Sequence, residues 1–284
     1  MFIEGVDPMA RVRQPVVAGS FYEGDPERLR RHVDKLLEQA KEMKLKGSVR
    51  GLVSPHAGYP YSGLAAAVGY KTLRGSSYDA VLLIGPSHRE FFTGVSIYPG
   101  DTYGTPLGDV PLHKQIRDEL LKQSPVIELS DAGHRAEHCL EVQLPFLQRV
   151  LGEFSIVPMI IGDQRKEFCF ALADAIATVA RERNVLLVAS SDLSHYHPYD
   201  DAVSLDHRVI EQVEAFDERS LMTQLDGERI EACGGGPIVA VMHAAKLLGA
   251  NRSQALFYCN SGDMTGDKSA VVGYLSAAFL HASS

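Results

Sequence analysis

Apolar positions along this chain follow two alternating rhythms. Short unbroken apolar runs, as in strands buried on both faces, are separated by stretches with apolar residues every three or four positions, as in helices with one buried side. The first helix is well signalled. Asp25 is placed to cap it, Pro26 suits its first turn, and Leu29, Val33, Leu36, Leu37 and Ala40 share one side. Buried strands are predicted at 49–54, 80–84 (AVLLI), 154–161 and 185–189 (VLLVA), with closing strands at 255–258 and 271–275. Helical spacing covers 62–73, 114–122, 167–183, 206–216 and 237–248. It also covers 138–151, where Pro145 should kink or split the helix. Residues 104–108 read as a long surface loop. The alternation predicts one α/β domain, residues 10–284, with helices on both faces of a sheet. Residues 1–9 read as a disordered or non-native tail, with Met9 a second candidate start.

Composition narrows the function classes. Among 284 residues, 28 Lys and Arg face 36 Asp and Glu, a net charge of −8, which disfavours a nucleic-acid-coating surface. No apolar run approaches the roughly 18 residues of a membrane helix. The first ten residues lack a secretory pattern. Cys139, Cys169, Cys233 and Cys259 show no C-x-x-C spacing, so they are expected to be thiols in a reducing cytoplasm. Cys139, Cys169 and Cys259 lie in apolar patterns and read as core.

Ligands of open α/β sheets bind beyond the carboxyl ends of the strands. Three predicted strands run into loops that carry histidine: Pro55-His56, Pro86-Ser87-His88, and Ser190-Ser191-Asp192-Leu193-Ser194-His195. His56 and His88 are about one βαβ unit apart, so their strands are expected to be neighbours. Converging imidazoles suit a transition-metal or an acid–base site. Cys233, in Cys-Gly-Gly-Gly-Pro at a helix start, is placed for a lowered thiol pKa. Asp192 is spaced to orient His195, and Glu141 to share a helix side with His138. His134-Arg135-Ala136-Glu137-His138 also fits H-x-x-E-H, an inverted zinc-peptidase pattern with Glu137 as base and a distant residue such as Glu214 as third ligand.

The ordered runs AGSFYEGDP, SPHAGYPYSG, LLIGPSH, EHCLEVQLPF, SSDLSHY and CGGGP, between Gln14 and Tyr274, resemble the Memo family, in prokaryotes also called AmmeMemoRadiSam system protein B. The resemblance implies a single three-layer αβα domain around a mixed, mostly parallel sheet. That fold is similar to class III extradiol dioxygenases of the protocatechuate 4,5-dioxygenase type, which hold non-haem iron with two His and a carboxylate. It implies His56 and His88 as metal ligands with Cys233 in the third position, and His195, Asp192 and His138 in the same cleft. Animal members, described as metal-binding mediators of cell motility with an influence on redox state, carry a Trp where this chain has Phe21 beside Tyr22. The H-x-x-E-H reading gains nothing, because the family pattern does not need His134.

The leading expectation is a cytoplasmic protein with a metal centre of His56, His88 and Cys233 and oxidoreductase chemistry. Thiolate with imidazole suits iron or copper foremost and also zinc. Catalytic roles would fall to His195, Asp192, His138 and Glu141. Two alternatives stand beside it. One is a metal-free enzyme with Cys233 as nucleophile and His195 as base. The other is a non-catalytic module binding a small molecule or peptide in the cleft. Neither nucleic acid nor membrane is an expected partner.

Overall fold

Four strands, apolar on both faces, set the architecture. A computed structural model describes residues 11–282; the expected tail at 1–9 lies outside them. From the N-terminus, β1 (Val12–Arg13) precedes α1 (Pro26–Gln39), β2 (Ser48–Ser54), α2 (Tyr59–Lys71) and β3 (Ala80–Pro86). Short strands β4 (Val95–Ile97), β5 (Thr102–Tyr103) and β6 (Val110–Pro111) lead to α3 (Lys114–Leu120) and β7 (Ile127–Leu129). A 3₁₀ turn at Glu141–Gln143 runs into α4 (Leu144–Val150), followed by β8 (Ile156–Ile161), α5 (Lys166–Val179), β9 (Val185–Ser190) and β10 (His195–His197). The order closes with α6 (Tyr199–Glu214), α7 (Glu218–Asp226), α8 (Gly235–Leu247), β11 (Arg252–Asn260), α9 (Ser261–Thr265) and β12 (Val271–His281).

The main sheet is mixed, with strand order β10-β12-β2-β9-β3-β8-β4-β7 and β11 on β12. Its centre, β2-β9-β3-β8, is parallel, while β12 on one flank and β4 on the other pair antiparallel to it. Alternation along β3 explains the layers. Leu82 and Ile84 face the cluster containing Leu172 and Ile176 of α5 and Val239 and Met242 of α8. Val81 and Leu83 face the one containing Leu37 of α1, Ala67 of α2 and Leu147 of α4. The α/β expectation with helices on both sheet faces is therefore met.

Local signals behave as their chemistry requires. Asp25 accepts a hydrogen bond from the Arg28 amide, capping α1. The helix expected over 138–151 resolves into the 3₁₀ turn and α4, because Pro145 lacks an N–H and is accommodated only in a first turn. Residues 104–108, expected as a long surface loop, lie in a short loop that is exposed at Gly108 and buried at its start. They join β5 to β6, and Gly104 and Thr105 are buried, with Thr105 Oγ1 bonded to Gln148 Oε1. Among the described residues no helix is long and apolar enough to cross a membrane.

The N-terminal segment is strapped to the sheet's carboxyl end by one buried ion pair. Arg13, 4% exposed, pairs with Glu141, 0% exposed, and donates to the main-chain carbonyls of His134 and Glu137. Glu141 also accepts from the Val16 and Val17 amides and the Tyr22 hydroxyl. Removing one partner leaves the other charge buried and uncompensated. Glu141→Ala should therefore cost about 3–5 kcal/mol in urea unfolding. A loss under about 1 kcal/mol, the scale of an exposed pair, would contradict the strap.

Candidate metal centre

The parallel strands end level, with Ser54 opposite Ser190 and Ile84 opposite Ala189. Their chains turn at the same height, delivering His56, Asp192 and His88. The strands of His56 and His88 are not neighbours as expected, because β9 lies between β2 and β3. That insertion brings Asp192 beside the β2 loop, where Oδ1 accepts the His56 amide at 2.7 Å. The rings of His56, His88 and His138 form a near-equilateral group. Their centroids are 5.0, 5.4 and 5.0 Å apart, and one ring nitrogen from each lies within 4.8 Å of the other two.

Hydrogen bonding assigns the protons. The Ser190 hydroxyl donates to the Cys139 carbonyl and accepts from Gln143 Nε2, so its remaining lone pair takes a proton from His56 Nδ1 at 2.9 Å. Nε2 of His56 is then unprotonated and carries the lone pair. Burial, followed by the neighbouring His88 and His138, holds the His56 pKa well below the ordinary imidazole range, so the ring is neutral.

Glu137, 3% exposed, does the same for the other two rings. Its carboxylate accepts the amides of His88, His138 and Cys139, and lies 2.9 Å from His88 Nδ1 and 3.1 Å from His138 Nδ1. Burial alone would raise its pKa, but hydrogen bonds from His138 and His88 outweigh that and hold it well below the carboxylate range. With both Nδ1 atoms on Glu137, Nε2 is the nitrogen each ring has left for an ion.

The remaining expected site residues fall around this group. Cys233 Sγ lies 3.2 Å from His56 Nε2 and accepts the Asp192 amide at 3.2 Å. The helix start was expected to lower the thiol pKa. Burial, then Asp192, raises it instead. His56, not the expected base His195, is the imidazole against the thiol. His195 is held by the Leu193 carbonyl, 2.8 Å from Nδ1, rather than by Asp192, whose Oδ1 is on the His56 main chain. Burial raises the Asp192 pKa, partly opposed by the His56 amide. Glu141 does not support His138, because Arg13, two amides and Tyr22 occupy its oxygens; Glu137 takes that role. Glu141 acts at one remove, since the segment it anchors lays Phe21 edge-on against His138, centroids 4.9 Å apart.

The H-x-x-E-H reading fails on geometry. Residues 134–138 are not helical. His134 is fully buried between the Tyr103 hydroxyl at 2.6 Å and the Ser96 carbonyl at 3.2 Å, and Glu214 is exposed at the end of α6. Ser190 and Gln143 are the positioning residues that sequence reasoning missed. Ser190's place at the end of the VLLVA strand was the available signal; Gln143 offered none.

The three rings face a cavity of about 480 Å³, also lined by Phe21, Tyr61, Arg89, His195 and Tyr196. Tyr196, 76% exposed, is held at φ 63° on its rim.

Residues 13–278 match the family model described as Memo-like protein. A MEMO1 family protein of Sulfolobus acidocaldarius is 39% identical over 94% of this chain and 99% of its own. Another, of Methanothermobacter thermautotrophicus, is 37% identical over 93% and 98%. The crystal structure of an uncharacterized Escherichia coli K12 protein superposes with a TM-score of 0.57 at 17% identity, covering 82% of this chain and all of that one, a likeness of fold.

Two outcomes follow from the proton assignments. Nitrogen-detected NMR of the metal-free protein should find His56 neutral with its proton on Nδ1 below the ordinary imidazole pKa. An imidazolium signal at mildly acidic pH would refute it. Burial pushes His134 down to about 4. Between about pH 6.5 and 4 the unfolded chain therefore takes up a proton that the folded chain refuses, and His134 subtracts up to about 1.4 kcal/mol per pH unit as pH falls. His134→Gln should flatten the urea-midpoint profile across that window, and an unchanged slope would exclude the assignment.

Proposed function

This chain belongs to the Memo-like protein family, and from that premise we propose that it is a metal-dependent protein whose ion is held by Nε2 of His56, His88 and His138, with Cys233 Sγ beside His56. The observation that carries the reading is the pair of Nδ1 anchors. Ser190 takes His56 and Glu137 takes both His88 and His138, leaving Nε2 of each ring for an ion. Carboxylate-backed histidine is what a protein builds to fix ligand orientation and raise ligand basicity. Three imidazoles with a thiol at hand suit iron or copper, and zinc third, better than magnesium or calcium.

A bound ion would supply Lewis-acid polarisation and, with iron or copper, electron transfer to substrate. The chain's own residues do the rest. Phe21 and Tyr61 offer aromatic walls, Arg89 a cationic edge, and His195 an imidazole whose Nε2 can hold or take a proton from a ligand in the cavity. These support a small organic molecule or peptide side chain as substrate; an oxidoreductase reaction would rest on the iron or copper the imidazoles suit. Four free cysteines support a reducing, cytoplasmic setting. The raised pKa of the Cys233 thiol disfavours the metal-free nucleophile, while His56 Nε2 at 3.2 Å is the base such a reading would use.

Anaerobically purified protein should bind one Fe, Cu or Zn ion per chain, measured by elemental analysis and competition titration. His88→Ala should abolish tight binding. Glu137→Gln should weaken it by about 10–100-fold while the fold persists. Cys233→Ser should weaken soft ions more than hard ones, and affinity should fall as pH drops, since the ligands must be deprotonated. Wild-type affinity in Glu137→Gln would remove the orientation argument; wild-type affinity in His88→Ala would remove the centre.

A further inference from the structure

The buried side of α6 is apolar at Ala202, Val209, Ile210 and Val213, and Asp206 stands among them, fully buried. A carboxylate on the core side of a helix is costly unless its oxygens are bonded, and among the described residues no Lys or Arg pairs with it. Oδ1 accepts the Ser194 amide at 2.9 Å, and Oδ2 accepts the Tyr258 hydroxyl of β11 at 2.7 Å. Burial raises the Asp206 pKa, and the Tyr258 and Ser194 bonds oppose the rise. Gly273 of β12 makes room for the group, because a Cβ there would collide with the carboxylate. Gly273 has no positive φ, so its missing side chain serves this close approach and not a backbone conformation.

The Ser194 amide belongs to the loop that carries Asp192 and His195. The same turn is gripped by β12: the Leu193 amide donates to the Gly273 carbonyl at 2.8 Å, and the Gly273 amide to the Ser194 carbonyl at 3.0 Å. The Ser194 hydroxyl is buried without a partner, so its main chain and not its side chain is the fastening. Two residues back, Asp192 reaches the candidate centre by three contacts. Its Oδ1 takes the His56 amide, its own amide donates to Cys233 Sγ at 3.2 Å, and its carbonyl accepts the Cys233 amide at 3.2 Å. One residue on, His195 lines both the cavity of the three rings and a second, of about 530 Å³, which Cys233 also lines. Tyr196 follows at φ 63°, a conformation that a tyrosine keeps only where the surrounding chain is fixed.

We propose that Asp206 is a positioning residue of the histidine centre. By holding the Ser194 amide from α6, it sets the loop from which Asp192 fixes the main chain of His56 and the thiol of Cys233, and from which His195 enters the cavities. It touches neither ion nor ligand and acts only through the loop. What the loop serves rests on the metal-centre reading, whereas the placement itself is measurable in metal-free protein. The acceptor oxygen does the positioning, so a neutral side chain of the same shape keeps the loop in place and one without an acceptor releases it.

The test compares the full chain as wild type, Asp206→Ala and Asp206→Asn, by NMR without metal and then by zinc titration. In wild type the Ser194 amide should exchange with solvent as slowly as the amides of β12. Exchange at the rate of an open loop would overturn the proposal before any variant is made. Asp206→Ala should shift the His56 amide and the His195 ring signals, and leave His134, bonded to Tyr103 and Ser96, unmoved. It should also weaken zinc about tenfold, the scale of losing a partner that orients a ligand. Asp206→Asn should return signals and affinity to wild type. Two further results overturn the proposal: an Asp206→Ala protein that is less stable yet keeps the His56 and His195 signals and the zinc affinity, or an Asp206→Asn protein that rescues neither. A wild type that takes up no zinc refutes the metal-centre reading, and the NMR comparison then decides the placement alone.

Discussion

A carboxylate that is 3% exposed must be compensated or expelled, and the sheet's carboxyl end is arranged around compensating Glu137. Three demands are met at once. Main-chain amides of His88, His138 and Cys139 point at its oxygens, and the Nδ1 atoms of two imidazoles approach them. The same contacts that make the charge tolerable turn both rings so that Nε2 faces the cavity. The β3 loop and the segment before α4 are thereby tied together, and a displacement of either would leave the charge unpaired.

His56 comes from a different strand and needs a separate solution. Asp192 holds its main chain and Ser190 its ring, and both stand at the end of β9, which the topology inserts between β2 and β3. Glu141 completes the enclosure from below by receiving Arg13, the amides of Val16 and Val17, and Tyr22. Three buried acids thus divide the work. Glu137 orients two rings, Asp192 sets the backbone of the third, and Glu141 fastens the segment that covers them.

The loop 190–195 separates two kinds of environment. On one side lie the imidazoles of His56, His88 and His138, aromatic walls and Arg89; on the other lie the thiol and an apolar floor. Cys233 meets His56 through this partition, its Sγ 3.2 Å from Nε2. His195 borders both cavities, with its Nδ1 on the Leu193 carbonyl.

Much of this was legible in the chain itself. Periodicity located α1, β2, β3, β8 and β9, because strands buried on both faces are continuously apolar and amphipathic helices repeat at 3.6. The short strands β4, β7 and β10 escaped, since two or three residues hold no periodicity, and β11 and β12 ran longer than their apolar cores suggested. His56, His88, His195 and Cys233 stand out by sequence position alone, because each follows a strand or opens a helix. Their partnerships could not be read there. Spacing in sequence suggested His138 with Glu141 and Asp192 with His195, but Glu141 is claimed by Arg13 and Asp192 by the His56 amide, residues more than a hundred positions away. The strand order that puts β9 between β2 and β3, and the burial that raises rather than lowers the Cys233 thiol, are likewise tertiary outcomes. Local sequence sets which backbone a residue adopts; which buried charge it must satisfy depends on what the fold packs beside it.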